Sequence, residues 1–139
     1  MQYDELKFYT DGGSRGNPGP AASGVVIMTI EDKVLESFGK YLGVATNNQA
    51  EWTAVRLALE AVAKYQPKRV YAYMDSELVC RQLSGQYRVK NAELKLLYDA
   101  VKQLAAAYDT RFAHVYRAQN HLADQQVNLA LDQALGLKK

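Results

Sequence analysis

A change of hydrophobic period near residue 46 constrains this chain more than any other feature. Residues 5–11 alternate in character, as a strand with one buried face does. Residues 22–30 carry the apolar run Gly24-Val25-Val26-Ile27-Met28, and residues 33–42 alternate through Val34, Leu35, Phe38 and Tyr41. These read as three strands, and Glu31-Asp32 suits a tight turn between the last two, so an antiparallel meander is expected. From 47 to 64 the apolar positions are Ala50, Ala54, Val55, Ala58, Leu59, Ala61 and Val62. A strand repeats its faces every two residues and a helix every 3.6, so no single regular element satisfies both halves. The chain must hold a sheet and helices that cover it.

The rest of the pattern extends that reading. Thr46 or Asn47 can cap the first helix by accepting from a free backbone N–H of its first turn. Gln66-Pro67-Lys68 ends it, because the residue before a proline avoids the helical region. Val70 to Met74 is a continuous apolar run of the kind found in a buried central strand. Residues 76–83 and 92–108 read as helices, 111–117 as a fifth strand, and 120–135 as a final helix stopped by Gly136. Gly12 to Pro20 is dense in glycine and proline and reads as a loop. The expected order is βββ-α-β-α-α-β-α, an α/β fold with a five-stranded mixed sheet and helices on both faces. Its length fits a single domain over 1–139.

Charge and cysteine content say less. The net charge of +2 permits a nucleic-acid partner without requiring one. Cys80 is the sole cysteine, so no internal disulfide can form, and its apolar neighbours Leu78 and Val79 make it a small core residue. Residues 1–5 lack the basic and apolar segments of a leader, and no run approaches the ~18 apolar residues of a membrane span. A cytoplasmic monomer with no membrane association and no obligate protein partner is expected.

Two carboxylates stand where packing calls for apolar groups. The helical neighbours of Glu51 are Ala54, Val55, Ala58 and Val62, which places it on the sheet-facing stripe. Asp124 shares its face with Val127, Asn128, Leu131 and Leu135. A lone buried carboxylate is costly and tends to take up a proton, and a metal ion removes that problem. Asp11 ends the first strand and Asp75 ends the run 70–74. Ligands of open α/β sheets gather beyond the carboxyl ends of the strands, where all four acids could converge. Each has another reading: Asp75 as a helix N-cap, Asp11 as a turn residue, Glu51 as the partner of a buried cation, Asp124 as a half-exposed first-turn acid. Glu31, Asp32, Glu60, Glu93, Asp99 and Asp132 read as solvated surface charges. If the four converge, hard oxygen ligands without a histidine–cysteine cluster favour Mg²⁺ or Mn²⁺. Two such ions suit in-line phosphodiester hydrolysis.

Tyr9 to Ala21, with Asp11-Gly12-Gly13-Ser14-Arg15-Gly16-Asn17-Pro18-Gly19 at its centre, resembles the opening motif of type 1 ribonucleases H. Thr46-Asn47-Asn48-Gln49-Ala50-Glu51 resembles their second motif and Asp75-Ser76 their third. Asn120 to Asp124, followed by Asn128 to Asp132, resembles the fourth in its short form. The matches come in order and cover almost the whole chain. The resemblance implies the ribonuclease H-like fold and two-metal hydrolysis of the RNA strand of RNA–DNA hybrids, leaving 3′-hydroxyl and 5′-phosphate ends. Two Mg²⁺ ions, with Mn²⁺ as a substitute, would be held by Asp11, Glu51, Asp75 and Asp124. It places Gly12, Asn47 and Asn48 near the RNA 2′-hydroxyls, the groups that distinguish RNA from DNA. Thr46 and Asn91 would hold a DNA-strand phosphate, with Arg88 and Lys90 as backbone contacts.

Departures from the family pattern carry their own expectations. Only residues 82–91 separate the second and third helices, so the basic helical protrusion of some relatives is absent and weaker hybrid binding is expected. Val44 stands where some relatives have an arginine for the phosphate pocket. His121 lies three residues from Asp124 at the start of a helix and reads as a surface residue rather than as the catalytic histidine of longer relatives. His114 reads as structural. Arg117 is the better-placed cation for the scissile phosphate. Two competing readings remain open: the same fold and metals acting on another duplex, and a non-catalytic hybrid binder. A pure binder gains nothing from four carboxylates beside phosphates.

Overall fold

The computed structural model describes residues 3–137. Met1 and Gln2, at the head of the segment read as lacking a leader, and Lys138 and Lys139, at the end of the expected domain, lie outside the described residues.

Among the described residues the strands and α-helices follow in the expected order. Strands β1 (Glu5–Ser14), β2 (Gly19–Thr29) and β3 (Val34–Ala45) precede α1 (Asn47–Val62), β4 (Arg69–Met74), α2 (Glu77–Leu83), α3 (Ala92–Ala105), β5 (Asp109–His114) and α4 (His121–Ala134). They form one five-stranded sheet in the order β3-β2-β1-β4-β5. β1, β2 and β3 are the antiparallel meander, and β4 and β5 add in parallel beside β1.

Alternation along the strands divides the core into two layers. Leu6 and Phe8 of β1, Val25 and Ile27 of β2 and Val70 and Ala72 of β4 pack with Trp52, Val55, Leu59 and Val62 of α1. Each buried valine, leucine, isoleucine or phenylalanine among them contributes ~1.5–3 kcal/mol by leaving water. The intervening residues Ala22, Val26 and Met28 face α4 through Ala123, Val127 and Leu131. Helices therefore cover both faces. α4 lies so close to the sheet that a side chain at Gly24 would collide with the Ala123 carbonyl oxygen.

Several boundaries differ from the sequence reading, with β2 beginning at Gly19 rather than 22 and β3 running to Ala45 rather than 42. β1 continues through Gly12-Gly13-Ser14, which pair with Ser23, Ala22 and Ala21, so only residues 15–18 leave the ladder. Local turn propensity yields there to the hydrogen-bond register imposed by the apolar strands. β5 spans Asp109–His114 rather than 111–117, because Arg69 of β4 pairs with Asp109 in register and holds its carboxylate at 2.8 Å. After Val115 the chain leaves the sheet as a 3-10 turn, Arg117–Gln119. α3 stops at Ala105, where its carbonyl accepts from the Thr110 hydroxyl. Thr46, not Asn47, is the cap of α1: its hydroxyl accepts from Gln49 N at 3.1 Å, and the Gln49 side chain accepts from Thr46 N at 2.9 Å. This reciprocal pair is a capping box.

Candidate active site

The parallel ladder of β1 with β4 closes at Thr10 and Met74, so the next residues, Asp11 and Asp75, emerge side by side at the ladder's edge. α1 delivers Glu51 from above that edge. Its approach requires Gly12, since a side chain there would strike the backbone of Ala50 and Glu51. Asp11, Glu51 and Asp75 each offer a carboxylate oxygen, and the three oxygens lie within 4.8 Å of one another. Asp124 stands outside this trio. It comes from the first turn of α4, sits beside the Asp11 carboxyl, and with Asp11, Glu51 and Arg117 lines a cleft of about 400 Å³. The structure thus brings together the four acids singled out by sequence, three as a tight cluster and the fourth beside Asp11. The N-cap role open to Asp75 belongs to Ser76, whose hydroxyl accepts from Val79 N.

The cluster is electrostatically strained. Burial, then the charges of Asp75, Glu51 and Asp124, push the Asp11 carboxyl up to about 8. Burial also pushes Glu51 up to about 7, with Asp75 adding to the rise, while a hydrogen bond from Ser76 and the positive charge of Arg117 oppose it. One oxygen of Asp75 is buried with no hydrogen-bond partner. An orphaned carboxylate oxygen is expensive in a protein interior. These observations fit a divalent cation: the donors are hard oxygens, and the repulsion among them is what a dication would relieve.

Beside the carboxylates lies a second cleft of about 640 Å³, between the N-termini of α1 and α3 and lined by Thr46, Asn47, Asn48 and Asn91. The local fold leaves these side chains with hydrogen-bond donors to spare. Asn91 caps α3, its carbonyl oxygen accepting from Glu93 N and Leu94 N. Asn47 uses its carbonyl oxygen to accept from the backbone and hydroxyl of Ser14. Thr46 accepts from Gln49 N. Their acceptors are spent on structure, so two amide NH₂ groups and one hydroxyl proton remain for a ligand. Helix N-termini add positive potential. Such a cleft suits an anion, and Asn47 lines both clefts and joins them.

The other candidates separate. Gly12 and Arg117 line the carboxylate cleft. Arg88 and Lys90 lie on the exposed segment between α2 and α3, outside the linings of both clefts. That segment holds no helix, in keeping with a missing protrusion. His121 is exposed, and so is His114, which sits edge-on to the Tyr116 ring at 5.5 Å. Val44 is 74% exposed and offers no cation to the anion cleft. Cys80 is buried, as expected.

Three contributors had no role in the sequence reading. Asn120 is buried, and its amide donates to the Thr10 carbonyl at 2.8 Å, pinning the backbone just before Asp11. Asn128 donates to the Asp124 carbonyl oxygen one turn away at 3.2 Å. Arg15 lines the carboxylate cleft and pairs at 2.8 Å with Asp132, which sequence had read as a solvated charge. A lone arginine between Ser14 and Gly16 carries no periodic signal, so only the fold reveals that partner.

Comparison with known proteins agrees with this architecture. Residues 9–130 match the family described as reverse transcriptase-like. The chain is 40% identical over 127 residues to ribonuclease HI of Halobacterium salinarum, covering 91% of this chain but only 64% of that protein. It is 31% identical over 155 residues to a ribonuclease H of Mycolicibacterium smegmatis, covering 99% of this chain and 94% of that one. The solved structure of LC11-RNase H1 in complex with an RNA/DNA hybrid superposes with a TM-score of 0.89 at 40% identity, covering 94% of this chain and 99% of that one. The chain belongs to the ribonuclease H family, in its type 1 branch.

Proposed function

We propose that this protein is an endonuclease that hydrolyses the RNA strand of RNA–DNA hybrids, leaving 3′-hydroxyl and 5′-phosphate ends. The observation that carries this reading is the trio of buried Asp11 with half-buried Glu51 and Asp75, with its orphaned oxygen, flanked by Asp124 and joined to an anion-binding cleft. The relative solved with an RNA/DNA hybrid supports the choice of duplex.

Asp11, Glu51, Asp75 and Asp124 would hold two Mg²⁺ ions, with Mn²⁺ as a substitute. When bound, these ions supply a water acidic enough to attack at neutral pH and stabilise the leaving oxygen. The chain's own residues position the substrate. Gly12, Asn47 and Asn48 face the minor groove, where the RNA 2′-hydroxyl can both donate and accept. Thr46 and Asn91 offer free donors to a phosphate of the DNA strand. Arg88 and Lys90 contact the backbone from outside the clefts and add affinity without base preference. Arg117, already close enough to Glu51 to draw its proton affinity down, lies where charge develops on the scissile phosphate.

We further read residues 1–139 as one domain acting as a cytoplasmic monomer without an obligate protein partner. Among the described residues no helix is long and apolar enough to cross a membrane. The test is cleavage of matched RNA–DNA, RNA–RNA and DNA–DNA duplexes with Mg²⁺ and then Mn²⁺. Cutting confined to the RNA of the hybrid is expected. An intact hybrid under both metals overturns the proposal, and equal cutting of RNA–RNA assigns the site to another duplex.

A further inference from the structure

The anion cleft contains one group that opposes its purpose. Of the eight residues lining it, seven are uncharged and the eighth is Glu93. Glu93 lies in the first turn of α3 and is exposed. Its carboxylate does not point freely into water. It accepts from the side-chain amide of Gln49 at 2.7 Å, across the gap between α3 and α1. The other end of the same Gln49 side chain accepts from Thr46 N at 2.9 Å. The carboxylate is therefore tied, through one side chain, to the residue whose hydroxyl is offered to the phosphate. It also takes up an amide donor that would otherwise face the cleft.

We infer that Glu93 is a built-in anion in the DNA-phosphate cleft that competes with the substrate and holds hybrid affinity down. This rests on the substrate reading above, since the cleft must receive a DNA-strand phosphate for its charge to matter. An anion in the first turn of a helix is favourable for the helix itself. The same position faces the two helix N-termini that would attract the phosphate, so Glu93 answers their potential from within. The segment that follows α2 carries no basic protrusion, so the affinity set by this cleft counts for more. Glu93 thus acts on binding of the intact hybrid and tunes release as well as capture.

The experiment compares the native chain with Glu93→Gln and Glu93→Ala in steady-state cleavage of a hybrid at low and high salt. Both variants should lower KM by ~2–5-fold at low salt, the effect of removing one exposed charge. The gain should shrink as salt screens it. A second set of hybrids replaces one DNA-strand phosphate at a time with an uncharged methylphosphonate. The variants' gain should vanish at one position and persist at the others. An unchanged or raised KM overturns the inference, as does a gain indifferent to where the phosphate is neutralised. Thr46→Ala separates the two levels. If it raises KM while the Glu93 variants do nothing, the cleft binds phosphate and only the role of Glu93 fails. If Thr46→Ala also leaves KM unchanged on a hybrid that is cut, the phosphate reading of the cleft fails with it.

Discussion

Asp11 is 7% exposed and has three carboxylates for neighbours, an arrangement that costs folding energy whenever all are ionised. Its carboxyl titrates at about 8 in the fold, against an ordinary 3.8. Between those values the folded, metal-free protein keeps a proton that the unfolded chain has released. Stability is therefore highest at the acid end of the window and is lost as pH rises toward 8. Glu51, at about 7 against 4.5, adds to the same slope. Thermal unfolding of the metal-free protein from pH 5 to 8 should show a falling Tm. Asp11→Asn should flatten that fall and raise Tm at pH 8 while abolishing cleavage. Saturating Mg²⁺ should restore the native Tm at pH 8, because a dication replaces the missing protons. A Tm that is flat with pH in the metal-free protein would count against a strained cluster.

At the scale of elements, the site depends on how closely two helices approach the sheet. α1 brings Glu51 to Asp11 only because position 12 is glycine, and α4 brings Asp124 only because position 24 is. Gly24→Val should lift α4, cost about 1–3 kcal/mol as overpacking does, and lower kcat as Asp124 retreats. Chemical denaturation and turnover measured together test this, and lost stability with native kcat would detach α4 from the chemistry. Thr46 couples a cap to a ligand. Thr46→Ala should cost about 1 kcal/mol of stability and raise KM, whereas Thr46→Ser should keep both near native. Stability and KM that move independently in these two variants would show that the cap does not present the hydroxyl.

At the scale of the molecule, ion pairing among the described residues limits the charge left for a polyanionic partner. The net charge is +2, and many basic side chains are paired at the surface, among them Arg15, Arg56, Arg69, Arg81 and Arg111. Hybrid binding should therefore be modest and only moderately salt-dependent. Arg88→Ala and Lys90→Ala should each lower the slope of log K against log salt by about 1 if each side chain neutralises one phosphate. Titrations of a labelled hybrid at several salt concentrations measure it. An unchanged slope in both variants would remove this segment from the binding surface.

The period change at residue 46 determined the order of strands and helices, because apolar side chains must face one core whatever the details of packing. It also marked Glu51 and Asp124 as inward-facing charges. Asp11 and Asp75 stayed ambiguous by spacing alone, since an aspartate ending a strand serves equally as turn, cap or ligand; the motif resemblance singled them out. Their union was decided by the parallel pairing of β1 with β4, a contact between residues more than sixty positions apart. The same long-range closure assigned Asn120 to Thr10, Arg15 to Asp132 and Glu93 to Gln49. Periodicity records which way a side chain faces within its own element. It carries no record of which distant element that face will meet, and that meeting turned scattered carboxylates into a site.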